Sequence, residues 1–305
     1  MTLHAPTASD PIDNLADWLE IQALTCNDGI ASLESLVSII RQGGSTDAVE
    51  DEDDPSRDQG SEISQQIASD ALSAAETRVK ACGGRYPFEV SQGHLRLRAE
   101  AANSPYLFLL LLSLSEPTSG YKGTAVLFEN LCTHVAQQYL GGAAIGADAW
   151  RFGSPRKAPV SVFSAAIDHL CTRIAEGGGC IVDKVTKHKG DNGLDIVAWK
   201  HFPDKRAGKL IAFGQCAAGS VNWGNKLNEL DGRNFARKWF RETLLVEPLR
   251  FFFVPRCIPS NIWRTTSIDA GVVFDRCRIA ALLDGLDSGI GTQCQAAVAS
   301  LVAKL

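Results

Sequence analysis

Three oxygen-bearing side chains stand where an apolar pattern has no need of them. Asp195 opens the segment Ile196-Val197-Ala198-Trp199, directly after the turn Asp191-Asn192-Gly193. Gln215 lies inside a second apolar segment, Leu210 to Cys216, where a buried amide is costly unless it finds partners. Glu129 sits in a helical pattern, off the stripe formed by Leu127, Leu131 and Val135. Hard oxygen donors of this kind suit Mg2+, which can position a phosphodiester, help generate a nucleophilic water and offset developing negative charge. Asp195 can offer a charged oxygen, Gln215 an amide carbonyl, and Glu129 a second carboxylate from a packed helix. Each has a plainer reading too. Asp195 is an ordinary turn residue after Asn192-Gly193, and Gln215 can bond a nearby loop backbone.

Such chemistry also wants a fixed cation beside the phosphate. Lys226 is the nearest lysine downstream of Gln215, and the Gly219-Ser220 turn leaves room for the chain to reverse and bring it back. Lys200 is the other candidate, but five residues after Asp195 on an alternating strand it should face the opposite way. His188 and Asp191, in Lys187 to Asp195, are near enough in sequence to touch a metal or substrate, or simply form a polar turn. Arg237, Lys238 and Arg241 flank Phe235 and Trp239. They read equally well as a phosphate-binding stripe and as the charged outer face of a core helix.

These residues need a scaffold, and its pattern changes near residue 120. Ahead of that point lie one or two helices from Pro11 to Gly43-Gly44, with Ser9 or Asp10 as N-cap and a break near Asn27-Asp28-Gly29. An acidic linker over 45–62 follows, then a helix from Ile63 to about Ala81, a hairpin around Ser91-Gln92-Gly93 and a buried helix from Tyr106 to Leu114. After Tyr121 the spacing predicts a helix closing on Gly141-Gly142 and another from about Val160 to Ala175. Three strand-like segments starting at Cys180, Gly193 and Gly208 then suggest a meander. A helical stretch from about Trp223 to Glu242, strands at Leu249 and Gly271, and one or two closing helices complete the chain. The expected organisation is a mainly helical, regulatory or assembly domain over 1–120 and a larger α/β domain over 121–305.

Charge follows the same division. Residues 1–120 carry 7 Lys and Arg against 19 Asp and Glu, whereas residues 121–305 carry 23 against 16. The basic half is therefore the expected partner for phosphates. The composition, 45% hydrophobic and 21% charged, excludes gross disorder. The longest apolar run, Tyr106 to Leu114, is too short to span a bilayer, and a cytoplasmic protein without membrane partners is expected. The nine cysteines show no Cys-x-x-Cys pair, so buried reduced thiols are expected rather than structural zinc. A serine or cysteine hydrolase lacks a nucleophile-elbow motif here.

The region from Gly123 to about Ala280 resembles the PD-(D/E)xK, or restriction-endonuclease-like, superfamily, and its Mrr branch in particular. The resemblance rests on Gly123 with Phe128-Glu129 in a helix, then Gly193-Leu194-Asp195-Ile196-Val197, then Gly214-Gln215-Cys216, in that order. It implies an α/β core with a mixed β-sheet flanked by helices. It also implies Mg2+ or Mn2+ held by Glu129, Asp195 and Gln215, DNA as substrate, and endodeoxyribonuclease activity. The segments ahead of it resemble those of bacterial antiphage-defence proteins, which implies a helicase or ATPase subunit as a partner class and leaves a homo-oligomer open. One departure stands out: the lysine expected two residues after Gln215 is replaced by Ala217. Either Lys226 has taken over, or the domain is a catalytically degenerate DNA-binding or scaffold subunit.

Overall fold

Helix α1 (Ile12–Thr25) starts directly after Pro11, which occupies the capping position itself rather than the first turn. The computed structural model describes residues 5–44, 56–114, 123–181, 190–219 and 223–305. They fall into two compact units, Met1–Leu111 with Cys294–Leu305, and Leu112–Gln293. In the first unit, β1 (Ile30–Ser32), α2 (Leu33–Gly44), α3 (Ser56–Ala81), β2 (Phe88–Ser91) and β3 (His94–Leu97) follow α1. The strands form an antiparallel sheet in the order β1-β3-β2, with β2 and β3 joined as the expected hairpin. Helix α3 begins at Ser56, so the latter part of the predicted linker is helical, while residues 45–55 lie outside the described residues. Leu15, Leu19 and Ala71 build the core between α1 and α3. Glu20 is buried among them, and it is matched: Arg78 Nη1 donates to it at 2.6 Å, and the Tyr86 and Tyr106 hydroxyls donate at 2.8 and 2.9 Å. Helix α4 (Pro105–Leu114) is the apolar run, buried from Tyr106 to Leu112.

The second unit is α/β. Its elements are α5 (Thr124–Tyr139), β4 (Ala147–Arg151), α6 (Phe163–Ile174), β5 (Ile196–Lys200), β6 (Ile211–Cys216), α7 (Gly232–Trp239), β7 (Leu249–Phe253), α8 (Ser260–Ala270), β8 (Val272–Phe274) and α9 (Arg276–Ala281); the last helix, α10 (Ser288–Val302), starts here and belongs to the first unit from Cys294 onward. The sheet runs β4-β5-β6-β7-β8; the first three strands are antiparallel neighbours, and β7 and β8 extend the sheet in parallel through helical crossovers. It is thus a mixed sheet with helices on its faces.

Two expectations need correction. The first strand of the meander is β4, ahead of α6, rather than a segment starting at Cys180. Residues 182–189 lie outside the described residues, and Cys180 contributes an isolated bridge to Phe240. The helical stretch from Trp223 to Glu242 is instead a short 3-10 turn, Trp223–Lys226, followed by the eight-residue α7. Asp231 caps α7, its carboxylate accepting from the Asn234 N–H.

Alternation along β5 and β6 divides the core. Val197, Trp199, Ile211 and Phe213 point into a cluster with Phe163, Ile167 and Leu170 of α6 and Phe235 and Trp239 of α7. The other alternates include Cys216, whose thiol meets Cys132 of α5. Burial raises the proton affinity of both thiols and keeps them neutral. Among the described residues no helix is long and apolar enough to cross a membrane.

Candidate metal centre at one rim of the sheet

Asp195 stands at the leading end of β5, and Gln215 at the trailing end of β6. Because the two strands are antiparallel, with Ile196 opposite Gly214, these ends are neighbours. The main chain of Asp195 is pinned on both sides: its N–H donates to Gly214 O at 3.0 Å, and its carbonyl accepts from the Phe152 and Gly153 N–H groups at 2.7 and 2.9 Å. Asp195 Oδ2 accepts from the Cys216 N–H at 2.7 Å. That is the sole hydrogen bond found on this carboxylate among the described residues.

Glu129 reaches the same rim from α5. Its Oε2 accepts from Arg151 Nη1 at 2.6 Å, and it lies against Gly153: a Cβ on Gly153 would come within 2.5 Å of Oε2. A side chain at this position would have to displace the Glu129 carboxylate from where it now sits. Asp191 closes the turn ahead of Asp195, its two oxygens accepting from the Gly193 and Ser154 N–H groups at 3.2 Å. Arg156 ties this turn to the exit of β4, donating to Phe152 O at 2.7 Å and Gly190 O at 3.2 Å.

The electrostatics of the rim are unbalanced. Burial raises the Asp195 carboxyl to about 8, against the Cys216 N–H that lowers it, and the charges of Glu129 and Asp191 push the same way as burial. Glu129 is also raised, by burial first and then by Asp191, although Arg151 works against the shift. Lys226 lowers both carboxyls through its charge. It is exposed, and no ion pair joins it to either carboxylate among the described residues. Lys226 ends its 3-10 turn rather than starting a helix.

Gln215 is 2% exposed. Its Nε2 donates to Glu229 Oε2 at 2.7 Å, and its Oε1 is buried without a hydrogen-bond partner among the described residues. The plain expectation for this amide was a bond to loop backbone; the partner is instead a carboxylate side chain. A carboxylate accepts, so the NH2 group must face Glu229, and the carbonyl oxygen is the orphan.

Other expected residues stand elsewhere. Lys200 closes β5 at the end remote from Asp195. Arg237 and Lys238 are exposed on α7, opposite its buried Phe235 and Trp239, and Lys238 Nζ lies 4.7 Å from the Trp239 ring centroid. Arg241 lies beyond the end of α7 and donates to Gly178 O at 2.9 Å and Cys180 O at 3.3 Å. The three cations therefore do not form one helical stripe. His188 lies outside the described residues. Arg151, Gly153 and Glu229 escaped the sequence reading, since each acts through a partner distant along the chain. Gly153, breaking a strand exit directly after Phe152, was the one local signal.

Among the described residues no group of three or more His, Cys, Asp or Glu is arranged to hold a metal. Mg2+ does not demand such a group: it keeps several waters and is commonly bound through one or two carboxylates with substrate phosphate. An orphaned amide oxygen beside under-compensated carboxylates fits that donor set. No protein-family model, no curated protein and no solved structure matches this chain.

Proposed function

We propose that the unit Leu112–Gln293 is a restriction-endonuclease-like, metal-dependent DNA nuclease domain. Asp195 and Gln215 would hold Mg2+ or Mn2+, with Glu129 as a third oxygen donor through the oxygen that Arg151 leaves open. The observation that carries this reading is the orphaned Gln215 Oε1 at a rim where burial and the neighbouring carboxylates raise the Asp195 carboxyl to about 8. Burying an acceptor with nothing to accept from costs about 1–3 kcal/mol, a cost a fold retains where a ligand offsets it. When bound, the cation would polarise a phosphodiester and promote water as nucleophile. The chain's own groups do the rest. Asp195 is fixed by four hydrogen bonds through its main chain and side chain, Arg156 holds the preceding turn in place, and Lys226 adds positive charge at the rim where a phosphate would gain it.

The mixed sheet, with its antiparallel meander extended in parallel, supports the fold assignment. The positive balance of residues 121–305 supports DNA as the substrate. We place the protein among bacterial antiphage-defence effectors, with a helicase or ATPase subunit as the partner class and the acidic first unit as the assembly element. A second reading has its own observation: Ala217 is buried where the resembling family has its lysine, and Lys226 touches neither carboxylate. On that reading the domain binds DNA without cutting it. Incubating plasmid DNA with Mg2+ or Mn2+ and either the wild-type chain or Asp195→Ala separates the two. Asp195-dependent nicking supports the nuclease. DNA binding with no cleavage in either metal supports the degenerate form.

A further inference from the structure

The amide of Gln215 presents either oxygen or nitrogen to the rim, and only oxygen can meet a cation. What decides between them is Glu229. Its Oε2 sits 2.7 Å from Gln215 Nε2, and its own N–H donates to Lys226 O at 3.2 Å, so it belongs to the turn that carries Lys226. Gly193 lies against this pair: a Cβ there would make ordinary contacts with Glu229 Cγ at 3.6 Å and Gln215 Nε2 at 3.8 Å, and it is the backbone φ of +81° that calls for glycine. Gln215 itself is buried, and its Oε1 has no partner among the described residues.

We propose that Glu229 is a positioning residue, whose carboxylate captures the Gln215 NH2 group and thereby fixes Oε1 as the atom offered at the Asp195 rim. Two physical effects act together. A flip would set the amide oxygen against the Glu229 carboxylate, two acceptors in contact, which is repulsive. Donation to a carboxylate also draws electron density toward the amide oxygen, making a neutral ligand more basic, as groups behind a metal ligand commonly do. The exposed Glu229 is thus a tuning charge held one residue away from the site, on the same turn as the cation Lys226. This inference rests on the metal-centre reading and adds the residue that orients its weakest ligand.

The test is Mn2+ binding to the full-length chain, followed by titration calorimetry, which needs no cleavage. Glu229→Leu should weaken Mn2+ binding about tenfold, the lower range for losing a partner behind a ligand. Glu229→Gln, which keeps an acceptor oxygen, should retain most of the affinity. The deciding arm is a Gln215→Glu background. A carboxylate has two equivalent oxygens and no flip to control, so Glu229→Leu should cost nothing there, and relief of like-charge contact should strengthen binding. Equal losses in both backgrounds would mark Glu229 as merely structural, and unchanged affinity of Glu229→Leu in the wild-type background would overturn the proposal outright. If wild-type protein shows no Mn2+ binding that depends on Asp195, the metal-centre reading falls and takes this role with it. That result is distinct from Asp195-dependent binding that is indifferent to Glu229.

Discussion

Strand β6 carries a buried polar group near each end, and the fold treats them in opposite ways. Just ahead of the strand, Lys209 is 2% exposed, and its Nζ donates to Ile174 O at 2.7 Å and Glu176 Oε1 at 3.0 Å. Glu176 also accepts from the Gly208 and Leu245 N–H groups. Against the burial that raises it, these donors bring the Glu176 carboxyl below its ordinary value. At the far end, Gln215 Oε1 accepts nothing and the Asp195 carboxyl is driven up to about 8. The first unit repeats the satisfied pattern, with Arg78 and two tyrosines closing around Glu20. This chain can therefore balance a buried carboxylate, and at the Asp195 rim it leaves one raised next to an amide oxygen with no partner among the described residues. An orphaned amide oxygen and a raised carboxyl meeting at one rim point to a ligand better than the acidic residues alone.

If the open end is a catalytic rim, Asp195→Asn should reduce metal-dependent cleavage by a factor on the order of 10^4, about 5 kcal/mol of transition-state stabilisation, read as single-turnover nicking of plasmid DNA. Cleavage at the wild-type rate would remove the distinction between the two ends. The closed end predicts the reverse phenotype. Lys209→Met leaves Glu176 buried without its cation and should cost about 3–5 kcal/mol in urea denaturation; a loss below 1 kcal/mol would show the pair to be dispensable.

The pH dependence separates the ends further. A carboxyl raised in the folded state binds a proton that the unfolded chain has released, so its contribution to stability is present below its ordinary value near 3.8 and is lost as pH rises through about 8. Glu176, lowered in the folded state, contributes in the opposite sense and loses its contribution only in acid. Asp195→Asn should therefore be more stable than wild type at pH 8, by about 2–3 kcal/mol once partial solvent screening is allowed for, and the gap should close toward pH 4. A constant difference across this range would mean that Asp195 does not titrate as its surroundings dictate. The smallest effect belongs to Lys226. Without a direct carboxylate contact, Lys226→Met should slow cleavage about tenfold, about 1.4 kcal/mol, while leaving DNA affinity nearly unchanged in a filter-binding assay.

Much of the scaffold could be read locally. The strands β5 to β8 stand where short β-rich runs bounded by Gly, Asp and Pro placed them, and α5 closes on its glycine pair. Strand β4 escaped because Ala147-Asp148-Ala149-Trp150-Arg151 has a single strong β-former, and α8 because Thr265, Thr266 and Ser267 favour no helix. Asp195, Gln215 and Glu129 were identifiable as oxygen donors out of pattern. Their balance was not, because Arg151 and Glu229 meet them through pairing that no window of sequence contains.

The position of β4 also orders events in time. Trp199 and Ile211 pair across twelve positions, whereas Arg151 must find Ile196 across about 45, with α6 in between. Closing the longer loop has the greater entropic cost, so β5 and β6 should associate before β4 joins them. The Phe152 and Gly153 N–H groups that grip the Asp195 carbonyl, and the glycine that admits Glu129, arrive with that last strand. In pulse-labelled refolding, amide protection should appear on β6 ahead of Phe152 and Gly153. A chain still emerging from the ribosome, or stalled part-way through folding, would then hold its sheet centre while the Asp195 rim is incomplete.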